Sequence, residues 1–307
     1  MTAAPASKRG TLRSHRWFTP WLLVGPALIW VLVFGIWPFV NTILLSFTDS
    51  RPLRAGEFVG LANYQRMFGD ELFGYALTTA VVYVVVCVPL LTILPLLLAM
   101  LVEKAIPAIS FFRTTFYFPV IASVVVVALI WTWLFDSRGL INQAMLAMGI
   151  ADRPIAFLVE RWWLLLCAIL LTVWKGLGYY MVVYLAALGN VGKELHEAAM
   201  IDGASTFRRF LSVTIPGVRG AMLLISVLIS VSAMRVFTEL EVLSNGAGGP
   251  GGQALSIVML IRQVGAGLTG DVGYASALSV ALFLLTLLPL TLIAWLNSDK
   301  REKKAKR

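Results

Sequence analysis

Six stretches of this 307-residue sequence are apolar over enough residues to cross a lipid bilayer, and that repetition constrains the chain more than any single motif does. They lie near Trp21–Phe47, Gly74–Val102, Phe111–Phe135, Trp162–Leu188, Gly217–Leu243 and Tyr274–Leu296. A helix rising ~1.5 Å per residue covers a hydrocarbon core of ~30 Å with about 20 residues, which every stretch supplies. Within hydrocarbon each backbone N–H and C=O must be satisfied inside the segment. The expected fold is therefore all-α: a polytopic membrane protein with six transmembrane helices. Composition agrees, with 59% hydrophobic and 13% charged residues and a mean hydropathy of +0.84. A soluble domain carries about 25% charged residues.

The net charge of +9 suggests nucleic acid only until its distribution is read. Lys8, Arg9, Arg13 and Arg16 precede the first span, and Lys300, Arg301, Lys303, Lys304, Lys306 and Arg307 follow the last. Such clusters meet anionic lipid headgroups and set orientation, so membrane lipids are expected partners and nucleic acid is not. With six spans both termini share a side, which carries 16 Lys and Arg against 7 on the other. The positive-inside rule makes that side cytoplasmic. The expected organisation is a basic cytoplasmic tail over residues 1–20, a six-span region over 21–297 and a second basic tail over 298–307. The first apolar stretch is too long for a signal peptide and no small-x-small site follows it, so it reads as a retained span. Cys87 and Cys167 sit inside apolar runs and read as small buried hydrophobes. His15 and His196 are too few and too far apart for a metal site. No catalytic or metal-ligating constellation and no cofactor motif is present.

Between the fourth and fifth stretches lies a polar island, Glu197–Pro216, that looks folded. Val191, Leu195 and Ala199 fall on one helical face, and Gly203 stops that helix. Ser205 is placed to cap a second short helix running through Phe207 and Phe210, and Pro216 suits the first turn of the next span. The run resembles the EAA loop of importer-type ABC permeases, Glu-Ala-Ala-x-x-Asp-Gly-Ala with an apolar-Thr-apolar-Pro ending. Glu197, Ala198, Ala199, Asp202, Gly203, Ala204, Thr214 and Pro216 all match it. The resemblance implies a type I importer permease in a bacterial inner membrane, with loop 190–216 coupling it to ATPase subunits. No Gly-x-x-x-x-Gly-Lys-Ser/Thr run occurs in the chain, so ATP hydrolysis is expected on separate subunits and this chain is no enzyme.

The resemblance extends from about Trp21 to Leu296 and is to the carbohydrate-uptake branch, the maltose and glycerol-3-phosphate type. Its pieces are Trp37-Pro38, Leu45-Ser-Phe-Thr48, Phe58-Val-Gly-Leu-x-Asn-Tyr64, Phe112-Arg-Thr-x-Phe116 with Pro119, Ala128-Leu-Ile-Trp131, Trp174-Lys-Gly176 and Gly273-Tyr-Ala-Ser-Ala277. It implies a second permease subunit, two ABC ATPase subunits and an extracytoplasmic substrate-binding protein as partners. Glu241 departs from it, standing where relatives often carry an aromatic just before the glycine-rich run 245–252. That run is too rich in glycine for a helix and is expected to be a flexible outer loop. Around Phe58–Phe68, Leu61, Tyr64 and Phe68 share a face of a short helix expected to lie along the membrane interface.

A pathway needs polar groups inside the bundle, and mid-membrane ionisable residues are candidates by default. Lys175 and Tyr179 are four apart on one face, with Trp174 adjoining. The resemblance makes Trp174, Gly176 and Tyr179 part of a sugar-contacting run, and it marks a stripe on the fifth span, Ile229, Ser232, Ala233 and Val236, as substrate-facing. For Lys175 and Tyr179, substrate contact and an inter-subunit role weigh evenly. Arg235 and Glu239, also four apart, are expected to form a mutual or inter-subunit ion pair. Prolines 26, 38, 89, 95 and 289 mark possible kinks. The competing readings are a proton- or sodium-coupled secondary transporter, which would not need the EAA-like loop, and an ABC permease for glycerol-3-phosphate or peptide.

Overall fold

The computed structural model describes residues 18–103 and 108–305, so Lys8, Arg9, Arg13, Arg16 and His15, with Lys104, Lys306 and Arg307, lie outside the described residues. Every regular element is helical. Five helices are long and apolar enough to cross a membrane, or six if a pair bent by 71° near Val218 counts as one.

The first stretch is α1 (Thr19–Val31), a π-helical turn over Leu32–Ile36, and α2 (Trp37–Leu45). Pro38 lacks the N–H that the preceding turn needs, and the wide turn absorbs the mismatch. No residue of Trp21–Leu45 is buried, although α2 lies against the last helix, with the Phe39 and Phe283 rings 5.2 Å apart. Past it, α3 (Ala62–Gly69) is docked onto the outer ends of other helices. Buried Asn63 donates to Ser46 O and Thr48 O at 2.9 and 2.8 Å. Tyr64 shares a 2.7 Å hydrogen bond with Ser46 Oγ. Leu61 and Phe68 are exposed as expected, but Tyr64 turns inward from their face because Ser46 offers its hydroxyl a partner.

α4 (Glu71–Val102) is the central column, starting at Asp70, whose carboxylate caps Leu72 N at 2.9 Å. The expected third span is not one helix. It divides into α5 (Ile109–Ile121) and α6 (Val124–Phe135), because Ala122 and Ser123 are extended. α7 (Leu140–Ala147) follows in the outer loop, where the Asn142 amide bonds Asp136 O and both main-chain groups of Ile155. α8 (Arg161–Leu188) crosses against α4 and α5. Gly178 makes the α5 crossing possible, since a Cβ there would sit 2.1 Å from Phe116 O.

The polar island forms α9 (Lys193–Ile201) and α10 (Thr206–Arg209), then a π-helical turn over Phe210–Thr214 and α11 (Ile215–Gly217). Pro216 thus belongs to a separate turn before the next crossing, α12 (Arg219–Met234), and not to that crossing's first turn. The expected fifth span also breaks near its outer end. Residues 235–237 leave helical geometry, Phe237 at φ −142°, before α13 (Thr238–Leu243).

The glycine-rich run is not a loose loop. Gly246 N donates to Glu241 O at 2.7 Å and Ala254 N to Gly248 O at 2.7 Å, and Ala254, Leu255 and Ser256 are buried. It leads into α14 (Ile257–Gly265), capped by the Ser256 side chain and buried through Ile257, Met259 and Leu260. The sequence reading did not anticipate that helix, although a serine cap followed by apolar residues at 257, 260, 261 and 264 was its signal. α15 (Val272–Ala305) closes the fold and continues past residue 298. Its outer end is held by Arg66–Asp271 at 2.6 Å and by the Tyr274 hydroxyl on Asp70 at 2.6 Å. The apolar core lies where α4, α8 and α12 meet, with α14 and the start of α15 against them. Cys87 and Cys167 are buried there as free thiols.

Candidate functional site

Both breaks open onto one cavity of about 350 Å³. α4 contributes Tyr83, Cys87 and Leu91, and α5 contributes Val120. α8 supplies Thr172, Lys175 and Tyr179, and the end of α12 with the segment beyond it supplies Ile229, Ser232, Ala233, Arg235, Val236, Phe237 and Glu239. Of the eight residues assigned to a substrate pathway from sequence, Lys175, Tyr179, Ser232, Ala233, Arg235, Val236 and Glu239 line this space. Trp174 does not; it turns to α6 and packs on Trp131 at a ring separation of 6.0 Å. Ile229 and Ala233 are buried on α12, and Val236, in the break beyond its end, is buried too.

Lys175 has a partner that neither sequence alternative foresaw. Its ammonium donates to Pro119 O at 2.9 Å and Ala122 O at 2.6 Å. These carbonyls belong to the end of α5, where the helix stops and its last acceptors lose their intrahelical donors. A cation suits the negative end of a helix dipole. The lysine therefore satisfies the backbone of a broken membrane helix, which would otherwise leave acceptors unpaired in an apolar bundle. It uses two of its three donors and still faces the cavity.

Of the two expected pairings, Arg235 and Glu239 do not form the mutual one. The four-residue spacing aligns side chains only in a continuous helix, and the chain breaks between them at residues 235–237. Ion pairs do form at Arg54–Asp49, Arg66–Asp271 and Arg262–Glu241. Arg235 is exposed on the cavity side, and Ser232 and Tyr179 are exposed with it. Glu241 pairs with Arg262 of α14, whose guanidinium also lies 5.5 Å from the Phe237 ring centre. The sequence reading missed the α4 wall. Tyr83, an isolated polar group among valines in residues 81–86, was the available signal.

At the other end of the molecule, the island 190–216 stands away from the bundle. Glu197, Ala198, Asp202 and Gly203 are exposed, and Ala199 and Ala204 are half-buried. Gly203 has φ +74°, the left-handed geometry that ends α9, and no neighbour would crowd a Cβ there. Ser205 Oγ accepts from Arg208 N at 3.3 Å and starts α10. Leu195 is 59% exposed, and Met200, Ile201 and Phe207 are exposed with it. The two short helices thus present apolar side chains outward from a polar loop. Among the described residues no cluster of metal-ligating side chains forms.

The chain resembles known proteins over nearly its whole length. It is 30% identical to the lactose transport system permease protein of Rhizobium radiobacter, over 91% of this chain and 94% of that one. It is 32% identical to the trehalose/maltose transport system permease protein of Thermococcus litoralis, over 87% and 89%, and 30% identical to the diacetylchitobiose uptake system permease protein of Streptomyces coelicolor, over 89% and 80%. Its fold matches a chain of a bacterial alginate ABC transporter solved with an alginate pentasaccharide-bound periplasmic protein, at TM-score 0.76 and 23% identity, over 91% and 96% of the two chains. Residues 144–302, which include α8, the island and both walls of the α12–α13 break, match the family model of the binding-protein-dependent transport system inner membrane component. The chain is a member of that family, a multi-pass membrane permease of the ABC importers.

Proposed function

We propose that this chain forms half of the translocation pathway of a saccharide importer in a bacterial inner membrane, with both termini and the 190–216 island cytoplasmic. The observation that carries this reading is the convergence of seven pathway residues from two separate stretches of sequence on one cavity between broken helices. Exposed Arg235 and Ser232 belong to that wall. A charged side chain facing lipid at mid-membrane costs ~2.5–3.5 kcal/mol even on the insertion scale. A second permease subunit covering the wall removes that cost and completes the pathway. The three sugar-system relatives support a saccharide as cargo. Family membership sets the secondary-transporter reading aside; glycerol-3-phosphate and peptide remain the runners-up.

Coupling follows from the island. Glu197, Ala198, Ala199, Asp202, Gly203 and Ala204 form the handle on which one of two ATPase subunits acts. The small alanines allow close approach, the carboxylates meet basic groups, and exposed Ile201 and Phe207 supply apolar contact. ATP-driven closure of the ATPase pair brings two such handles together and favours the outward-open state, into which an extracytoplasmic binding protein delivers cargo. Differential contact with the two states is what performs the work. Residues 21–297 act as the permease unit between basic tails at 1–20 and 298–307.

Deleting the gene and measuring uptake of radiolabelled lactose, maltose, trehalose and diacetylchitobiose tests the reading. Loss of uptake of at least one sugar, restored by the wild-type gene, is expected. Unchanged uptake of all four together with lost uptake of a phosphate ester or peptide would overturn the saccharide assignment.

A further inference from the structure

The α4 wall of the cavity holds a polar group that the pathway does not yet use. Tyr83 is fully buried and lines the cavity, and its hydroxyl has no hydrogen-bond partner. Its polar neighbours are Glu239 and Thr172. The Thr172 hydroxyl lies close to the phenol, but its proton goes to Ala168 O at 2.9 Å, leaving the phenol O–H without an acceptor in hydrogen-bonding geometry. A buried hydroxyl left unpaired costs about 1–3 kcal/mol, and phenylalanine would fill nearly the same volume without that cost.

Two of the other buried tyrosines hold their phenols in hydrogen bonds that tie helices together. Tyr184 donates to Thr92 O at 2.8 Å, tying α8 to α4. Tyr274 donates to Asp70 at 2.6 Å, tying α15 to the start of α4. Tyr83 lines the cavity, as buried Tyr180 does, and its hydroxyl is uncommitted.

We propose that the Tyr83 hydroxyl recognises one neutral hydroxyl group of the transported ligand, with Glu239 as the second member of the subsite. The phenol donates to the ligand oxygen, and the ligand hydroxyl donates to the carboxylate. A sugar hydroxyl is a donor and an acceptor at one atom, which suits a phenol O–H beside a carboxylate. The tyrosine is a specificity residue on α4, the helix that contributed no pathway residue to the sequence reading. The inference rests on the saccharide reading above.

The test uses the complete transporter reconstituted with its binding protein. It follows the disaccharide among lactose, maltose, trehalose and diacetylchitobiose that the wild type moves. The number of sugars moved per ATP hydrolysed is compared for wild type and Tyr83→Phe. A fall of about tenfold is expected, the size of one buried hydrogen bond. One monodeoxy analogue of the sugar should reproduce the loss on the wild type and add nothing further on the variant. The inference is overturned if the ratio stays within about twofold of wild type, as it would if the phenol held only a trapped water. It is equally overturned if every deoxy analogue loses the same factor on both proteins, or if Tyr83→Phe prevents complex assembly, which would make the hydroxyl structural. A wild type that moves none of the four sugars sinks the saccharide reading and this inference together. Normal wild-type transport with an unaffected variant sinks this inference alone.

Discussion

The 190–216 island and the segment from residue 235 to α14 lie on the same stretch of chain, yet they are built on opposite principles. The island's two short helices, α9 and α10, carry no buried residue, and Ile201 is 87% exposed. The outer segment, α13 with the glycine-rich run and α14, is folded back until Leu240, Leu255 and Ile257 are buried. One is a rigid object held by its own local signals: a left-handed Gly203 and a capping Ser205. The other is packed against α4, α6, α8 and α15. A part that must be gripped by another protein has to be stable before the grip, whereas a part that bounds a cavity can borrow its shape from the walls it closes.

The sharpest way to break this comparison is to ask whether its two members lie on opposite sides of the membrane. A single cysteine replacing exposed Ser205 should react with a membrane-impermeant maleimide only in inside-out vesicles, and one replacing exposed Ala247 only in intact spheroplasts. The outcome is all-or-none. Reversed labelling would overturn the orientation drawn from Lys and Arg placement, and with it the assignment of the island to ATPase coupling.

Next in size is Gly203→Val. A β-branched residue at φ +74° is strained wherever it sits, by about 1–2 kcal/mol, and here the strain falls on the turn that aims α9. Uptake should be lost while the subunit still inserts and assembles, because nothing crowds the position. Gly203→Asn, which tolerates left-handed geometry, should retain transport. Normal uptake by the valine variant, with normal stimulation of ATP hydrolysis, would end the handle model.

The island was legible in the sequence because its signals act over short range. Glycine to stop, serine to start and a fixed spacing of small and acidic residues are all local. The cavity was legible only where a helix runs on, as from Ile229 to Ala233. Where helices break, spacing misleads: Arg235 and Glu239 were paired by a turn that does not exist. The break in the third span had almost no mark, since only Pro119 and a short Ala122-Ser123 interrupt an apolar run. The partner of Lys175 could not be inferred without that break. α14 was hidden by the glycine run before it, which was read as an end of structure and is a tight folded connection.

Lys175→Met tests that partnership. It removes the donor to Pro119 O and Ala122 O while keeping an unbranched side chain. Unpaired buried acceptors cost about 1–3 kcal/mol each, so the purified complex should melt several degrees lower and uptake should fall about tenfold. Lys175→Arg, which keeps donors and charge, should recover part of both. If the methionine variant melts like wild type but loses uptake, the lysine serves the cargo and not the broken helix.

The smallest effect is expected at the outer latch, where Glu241 of α13 meets Arg262 of α14. The pair is unequally covered, with 52% of the arginine side chain and 18% of the glutamate exposed. Around it Gln263 donates to Gly246 O at 3.0 Å, and Arg262 leans over Phe237, which lines the cavity. Opening the cavity outward would separate α13 from α14 and break this pair. A partly exposed pair contributes up to about 1 kcal/mol, so Arg262→Gln should shift the balance toward the outward-open state by no more than about fivefold. That shift is read as raised ATP hydrolysis in the absence of binding protein. The charge exchange Glu241→Arg with Arg262→Glu should return hydrolysis toward wild type, since the attraction is restored with its sign pattern reversed. If the single and double variants hydrolyse ATP like wild type, α13 and α14 move as one body, and the outer boundary of the cavity opens where α3 and the start of α15 are joined by Arg66 and Asp271.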